Sequence, residues 1–477
     1  MPLSNQQKNQ HLLWRAAFGP MAENADELGN ISQKELYGIL LKTSSKKPSA
    51  LQIASGSFDG MVKGMQDLGK LQSLTKDQKK QLRKQSAEDI KSLNLLWLSE
   101  MINSEAQLRE KMSLFWHGHF ACRVINIYFQ QQLLNVIREN ALGNFGDLLR
   151  EVSKSPAMLS FLNNQQNRKQ HPNENFAREV MELFTMGRGN YTETDVKDGA
   201  RAYTGWGFNL KGEFVFRPFA HDNGEKTFLG KSGNLDGDDV IDIILEQKAT
   251  AHFITHKIYK YFVNENVDEE KVASLASSFY QNKYDIKKLM TDIFTSDWFY
   301  EEKNIGTRIK SPVELVAGIR RIIPMELAQP ELQLIFQKVL GQVLFYPPNV
   351  AGWPGGKNWI DSSALMFRMR LPQLLTNSGK LLVTPKEDDD VMMGREGVET
   401  KRNSQNISVN VDWDSVIKVF SKTERENLPD KLNEIVLQTK TTINPNVLKR
   451  YIDNTSRDEF IKSTIVELMS TPEYQLC

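Results

Sequence analysis

The sequence predicts a mainly α, multi-helical globular protein with one small β-hairpin and a long ordered Pro/Gly/Trp loop. Apolar residues recur at helical spacing through most of the chain. The one convincing β signal is confined to residues 212–230. FYPPNVAGWPGGKNWID, residues 345–361, holds three prolines and three glycines and cannot be a regular element.

Taken in order, Ser4 caps a first helix carrying Leu12, Leu13, Ala16 and Phe18, stopped by Gly19-Pro20. Residues 44–90 are Lys/Gln/Ser-rich and weakly apolar, which predicts a mobile or loosely helical polar insertion. A stronger helix is expected from Ser104, with Gln107 completing a capping box and Leu108, Met112 and Phe115 at helical spacing. Further helices fit 130–151, 173–187, 193–204, 237–263, 267–298 and 312–322. GEFVFRPF and KTFLG flank Asp222-Asn223-Gly224, a turn signal that predicts a hairpin across it. The expected organisation is a main helical domain over 1–384 that carries the motifs, a charged surface excursion over 385–411, and a C-terminal helical segment over 412–477 packing on the main domain. No internal repeat is present.

Bulk properties exclude several classes. A net charge of +1 provides no field for nucleic acid or an anionic membrane. Two cysteines, Cys122 and Cys477, make neither a disulfide framework nor a zinc motif. No window approaches the ~20 apolar residues of a transmembrane segment, and the opening MPLSNQQKNQ lacks a secretory apolar region. The default expectation is a cytoplasmic chain. No P-loop, GxSxG or Rossmann fingerprint occurs.

Three segments could carry chemistry. In HPNENFAREVMEL, residues 171–183, Asn173 is placed to cap a helix whose Phe176, Val180, Leu183 and Phe184 share one face. Glu174, Asn175, Arg178, Glu179, Glu182 and Thr185 fill the other, as a solvated self-neutralising surface or as the wall of a cleft. In FWHGHF, residues 115–120, an unbroken helix points His117 and His119 in opposite directions; only a helix ending at Gly118 lets them converge. The third is PPNVAGWPGG, whose stiff backbone presents aromatics suited to sugar rings or to an apolar partner. His252 and His256 have metal-ligand spacing, but Phe253 stands where a HEXXH glutamate would be.

Together and in this order, HLLWRAAFGP, FWHGHF, NENFAREVMELFTMG, GNYTETDVKDGARAYTGWGF, HDNGEKTFLG, LGQVLFYPPNVAGWPGGKNWI and PEYQL resemble the bacterial proteins grouped as domain of unknown function 1800. That resemblance implies a mainly helical fold and no known activity. It also implies a possible partner from the domain of unknown function 1501 family, whose members resemble sulfatases. Many relatives carry an export signal, from which this polar N-terminus departs, so export with a partner stands as an alternative.

The motifs mark polar and aromatic residues, from which a shared cleft is expected. Glu179, Glu182, His117, His119 and Arg178 are its candidate catalytic residues. Arg15, Asn173, Asn175, Trp206, His221, Asp222, Lys226, Asn349 and Trp353 are its candidate substrate-binding residues. A divalent metal is one option such carboxylates and imidazoles allow. The leading expectation is an enzyme that hydrolyses or modifies a glycan or other polymer. The alternative is a non-catalytic helical partner of the sulfatase-like family, with the Trp353 loop as contact surface.

Overall fold

The structure, a computed structural model, describes residues 3–24, 27–53, 75–209, 211–377, 380–381, 405–439 and 441–477. It is mainly α, with small two-stranded sheets inserted among the helices.

The N-terminal helices are α1 (Asn5–Ala16), α2 (Gln33–Ser44), α3 (Lys76–Asn103), α4 (Gln107–His119), α5 (Ile127–Asn140), α6 (Phe145–Lys154) and α7 (Pro156–Phe161). Ser4 caps α1 as expected, with Gln7 closing the box. Residues 76–90 take the helical form of the two expected, and a firm one. They form the first half of the 28-residue α3, started by a Thr75–Gln78 capping box, and Ser86 ties them down by donating to Ile125 O. Residues 54–74 of that expected insertion lie outside the described residues.

The capping box expected at Ser104 is absent. Ser104 instead closes α3, its N–H donating to Glu100 O, and the Gln107 amide donates back to Met101 O and Ser104 O. The polar pair thus serves a helix end at this corner. The single helix expected over 130–151 is two, because Asn144 accepts from Gly146 N and starts α6 afresh.

Next come α8 (Glu174–Glu179), which continues into a π turn over Val180–Thr185, and α9 (Glu193–Ala202). Four strands follow, β1 (Trp206–Phe208), β2 (Phe214–Phe216), β3 (Lys226–Phe228) and β4 (Lys231–Gly233). β2 pairs antiparallel with β1, and β3 pairs with β4. The expected hairpin across Asp222-Asn223-Gly224 is therefore replaced by two hairpins, one on each side of it. That turn is closed locally by Gly224 N donating to Asp222 Oδ1.

α10 (Gly237–Leu245) and α11 (Lys248–Phe262) replace one expected helix, and α12 (Glu269–Gln281) and α13 (Ile286–Phe294) replace another. The second break falls where Lys283 and Tyr284 adopt positive φ and Asp285 caps the next helix. The chain continues through α14 (Pro312–Ile322), β5 (Met325–Leu327), α15 (Leu332–Leu340) and α16 (Ser362–Thr376). Short strands β6 (Lys380–Leu381), β7 (Gln405–Asn406) and β8 (Val409–Val411) lead to α17 (Trp413–Val419), α18 (Leu428–Val436) and α19 (Arg457–Met469). β8 pairs with β5. Of the expected charged excursion, 385–404 lie outside the described residues.

Two apolar cores sit side by side. One gathers α1, α2 and α5–α13; the other gathers α3, α14–α19 and parts of α5. α4 lies between them. Met112, Phe115 and Trp116 face the first core and Leu114 the second, and every residue from Gln107 to His117 is buried. A helix without a wet side must meet its charges inside the protein. Glu110 accepts from Trp97 Nε1 at 3.0 Å, Arg109 Nε at 3.2 Å and Arg138 Nη2 at 2.9 Å. Lys111 pairs with Glu314, which also pairs with Arg308. Glu110→Gln is expected to lower stability by roughly 3–5 kcal/mol, because it leaves the buried Arg109 without its counter-charge and the buried Arg138 with only the more distant, partly exposed Glu100 at 3.6 Å. Glu88→Gln, at the exposed pair with Lys91, is expected to change it by less than about 0.5 kcal/mol. Urea denaturation of both variants checks the contrast.

Candidate functional site

The site begins where α8 ends. Its π turn places Thr185 so that Oγ1 donates to Val180 O, five residues back, at 2.5 Å. The last carbonyls of any helix lack intrahelical partners, and two of them here find side chains. Phe184 O lies 3.0 Å from His119 Nε2, and Leu183 O accepts from Lys257 Nζ at 3.2 Å. With Nε2–H donating to a carbonyl, His119 Nδ1 is left as an acceptor. Lys257 Nζ sits 3.2 Å from it. The chain of contacts runs from carbonyl to imidazole to amine.

Burial and the nearby ammonium hold His119 well below the ordinary histidine range, so it is neutral. Lys257 is partly buried on α11, and burial pushes its amine down to about 8. Near neutral pH it can therefore give up or take a proton.

Both side chains line a pocket of about 400 Å³. Phe115, Gly118 and His119 of α4 form one wall, and Lys257, Lys260 and Tyr261 of α11 another. The Pro/Gly/Trp loop closes it with Trp353, Pro354, Gly355, Gly356 and Trp359. Gly352 explains how the loop comes so close. It has φ +81°, and any Cβ there would collide with the Gly118 carbonyl oxygen. The loop is also anchored from beneath, with the Trp353 ring 5.6 Å from that of His117.

The expected site residues are spread over several places. His119 and Trp353 line the pocket. His117 lies on the other side of α4, against Trp97 and Phe345, and its Nε2 accepts from Phe345 N at 3.2 Å. Burial pushes it down to about 3, so it too is neutral. The helix runs through Gly118 to His119, and the two imidazoles diverge.

The carboxylates of α8 do not join them. Arg178 pairs with Glu174 and with Glu193. Glu182 takes Arg188 and the Tyr191 hydroxyl, the latter at 2.8 Å, and these donors hold its carboxyl below the usual range. Glu179 is half-buried, and burial together with the neighbouring Glu182 raises its carboxyl. Neither glutamate lines the pocket. Asn173 caps α8, and the Asn175 amide donates to Leu162 O.

A third group forms a buried knot away from the pocket. His221 Nδ1 lies 2.8 Å from Thr204 O, Asp222 pairs with Arg201, and Lys226 Nζ donates to Asp222 O and Gly224 O. Trp206 packs edge-on against Tyr203 and Phe214. Finally, Arg15 is fully buried and donates to Asn304 O at 2.9 Å, while Asn349 shapes the loop by accepting from Ala351 N. The single cleft expected from the motifs is thus split. Among the described residues no three His, Cys, Asp or Glu side chains gather as a metal-ligand set, and no helix is long and apolar enough to cross a membrane.

Sequence reasoning missed Lys257, Tyr261, Glu265 and Arg308. One trace was available: Phe253, Lys257 and Tyr261 follow each other at four-residue spacing, so a lysine sits between two aromatics on one helix stripe. The family described as Protein of unknown function (DUF1800) matches residues 11–476. No curated protein and no solved structure matches the chain.

Lys257 works against the fold. Its amine holds a proton up to about pH 8 when folded and about 10.4 when unfolded, so stability rises with pH through that window and the full penalty applies below it. Lys257→Met should therefore stabilise the protein more at pH 7 than at pH 10.5, by roughly 2–3 kcal/mol. Denaturation curves at the two pH values measure the difference.

Proposed function

The chain belongs to the DUF1800 family of proteins of unknown function, and from that premise we propose that it is an enzyme acting on a glycan or other ring-bearing polymer in the pocket beneath the Trp353 loop. The observation that carries this reading is the Lys257 amine, lowered to about 8 on the wall of a pocket with aromatic sides. A proton donor or acceptor near the working pH is what general acid–base catalysis needs. His119 is a positioning residue: Phe184 O holds its ring and sets the tautomer that receives Lys257. This repeats the logic of a base oriented by a third group.

Trp353, Trp359, Phe115 and Tyr261 supply flat apolar faces around the same space, which suits the faces of sugar rings. A volume near 400 Å³ falls within the usual range for small-ligand sites. In this reading Lys257 takes a proton from the attacking water or gives one to the leaving oxygen. Glu179 and Glu182, outside the pocket, have no part in the step.

The alternative reading, a non-catalytic partner of a domain of unknown function 1501 protein, uses the loop tryptophans as an outward contact. Their placement favours the pocket instead: Trp359 is only 7% exposed and Trp353 packs on His117.

The test is turnover against a panel of oligosaccharides, with folding checked by circular dichroism. Lys257→Met is expected to lower kcat by about 10²–10⁴-fold, and Trp353→Ala to raise KM with a smaller effect on kcat. Folded Lys257→Met with wild-type kcat on a substrate that the wild-type protein turns over would overturn the assignment.

A further inference from the structure

We infer that the ring taken by this pocket carries an anionic group, held by Lys260, Arg308 and Lys357. The inference rests on the reading of the pocket given above and adds its substrate class.

The charge census is local. The whole chain is nearly balanced, with 60 basic and 59 acidic residues. The pocket lining is not balanced: it holds Lys257, Lys260, Arg308 and Lys357 against one carboxylate, Glu265. Lys260 and Lys357 lie exposed at the rim, one on α11 and one on the Trp353 loop. Neither forms an ion pair with a described residue. They face the same space from two separate elements, so an entering anion meets both.

Arg308 is the buried member, 5% exposed. Its guanidinium stacks 4.7 Å from the Tyr261 ring centre. Glu314 pairs with it and also with Lys111. The buried Tyr261 hydroxyl lies within the reach of the Arg308 guanidinium, which stacks over its ring and keeps its charge at the pocket wall. Four cationic side chains against one carboxylate in the lining are what a carboxylate, sulfate or phosphate group would balance. Glu265 lies against Gly356, where an added Cβ would strike its carboxylate. As the lone acceptor of this kind in the lining, it is suited to a ring hydroxyl rather than to the charge.

Low-dielectric walls concentrate the field of such cations on a bound ligand. Lys257 lies one helical turn from Lys260 on α11, so the charge would be held beside the proton-transfer group, on the same ring or the next.

Calorimetric titration of the full chain tests this with four probes: tetragalacturonate, its methyl ester, a sulfated galactose tetramer and inorganic sulfate. The ester keeps the rings and removes the charge. The charged oligomers are expected to bind about tenfold more tightly than the ester, as two or three cation contacts of modest strength imply. Inorganic sulfate should bind more weakly than either. Which charged oligomer binds better identifies the anionic group, and either order supports the inference.

The double variant Lys260→Gln/Lys357→Gln, altered only at exposed positions, should weaken binding of the acid more than that of the ester and so shrink the acid-over-ester preference to about threefold or less. Equal binding of acid and ester, with both lost in Trp353→Ala, would overturn the charge inference and leave the pocket standing. An unchanged preference in the double variant would also overturn it. Binding of inorganic sulfate as tight as that of the oligomers would overturn the ring. No binding of any probe would remove the glycan reading and the inference with it.

Discussion

A helix with no wet side organises this protein. α4 is surrounded by both cores, so its charged residues must be answered by neighbours. Glu110 binds α3 and α5 through Trp97 and Arg138, and Lys111 binds α14 through Glu314 and α1 through Trp14 O. Four helices are therefore registered against α4 by charge as well as by packing. The same helix ends in His117-Gly118-His119, where it supplies the floor of the loop, the close contact with Gly352 and one wall of the pocket. Its burial gives the site a fixed base.

Polar family motifs have two physical origins here. Thr204, His221, Asp222 and Lys226 are polar because a buried crossing of loops has backbone groups to satisfy, and each side chain is spent on that. His119 and Lys257 also satisfy backbone carbonyls, yet they do so on the surface of a cavity. A polar fingerprint therefore does not identify one cleft. The discriminating feature is whether the paired group still faces open space.

Much of the fold was legible in the residues. Helical periodicity located most helices, but in FWHGHF it left open whether the helix ended at Gly118 and let the two histidines meet, as the shared-cleft expectation required; the helix runs on to His119 and they diverge. The failures have local causes. An Asn-Gly turn reports a bend but not which strands pair, so the hairpins fell on either side of it. A Ser-x-x-Gln pattern fits the end of one helix as well as the start of the next. In NENFAREVMELFT, periodicity separated most of the two faces, but Thr185, expected on the charged one, is buried in the π turn, and it could not say what stood across from the charge: Arg188, Tyr191 and Glu193 stand there, not the histidines. What the segment contributes to the pocket residues is two backbone carbonyls, and carbonyls leave no trace in side-chain patterns. Lys257 was hidden because a lysine among aromatics reads equally as a snorkelling surface residue.

The π turn at Val180–Thr185 makes the site sensitive to chain length as well as to composition. Such a turn accommodates one more residue than the α-helix it interrupts. Removing a residue there leaves the backbone a regular α-helix to relax into, with each following carbonyl turned by about 100°. Leu183 O and Phe184 O would swing away together, taking the acceptor from Lys257 and the tether from His119 at once. The imidazole and the amine sit on different helices, yet their alignment is counted out by a third.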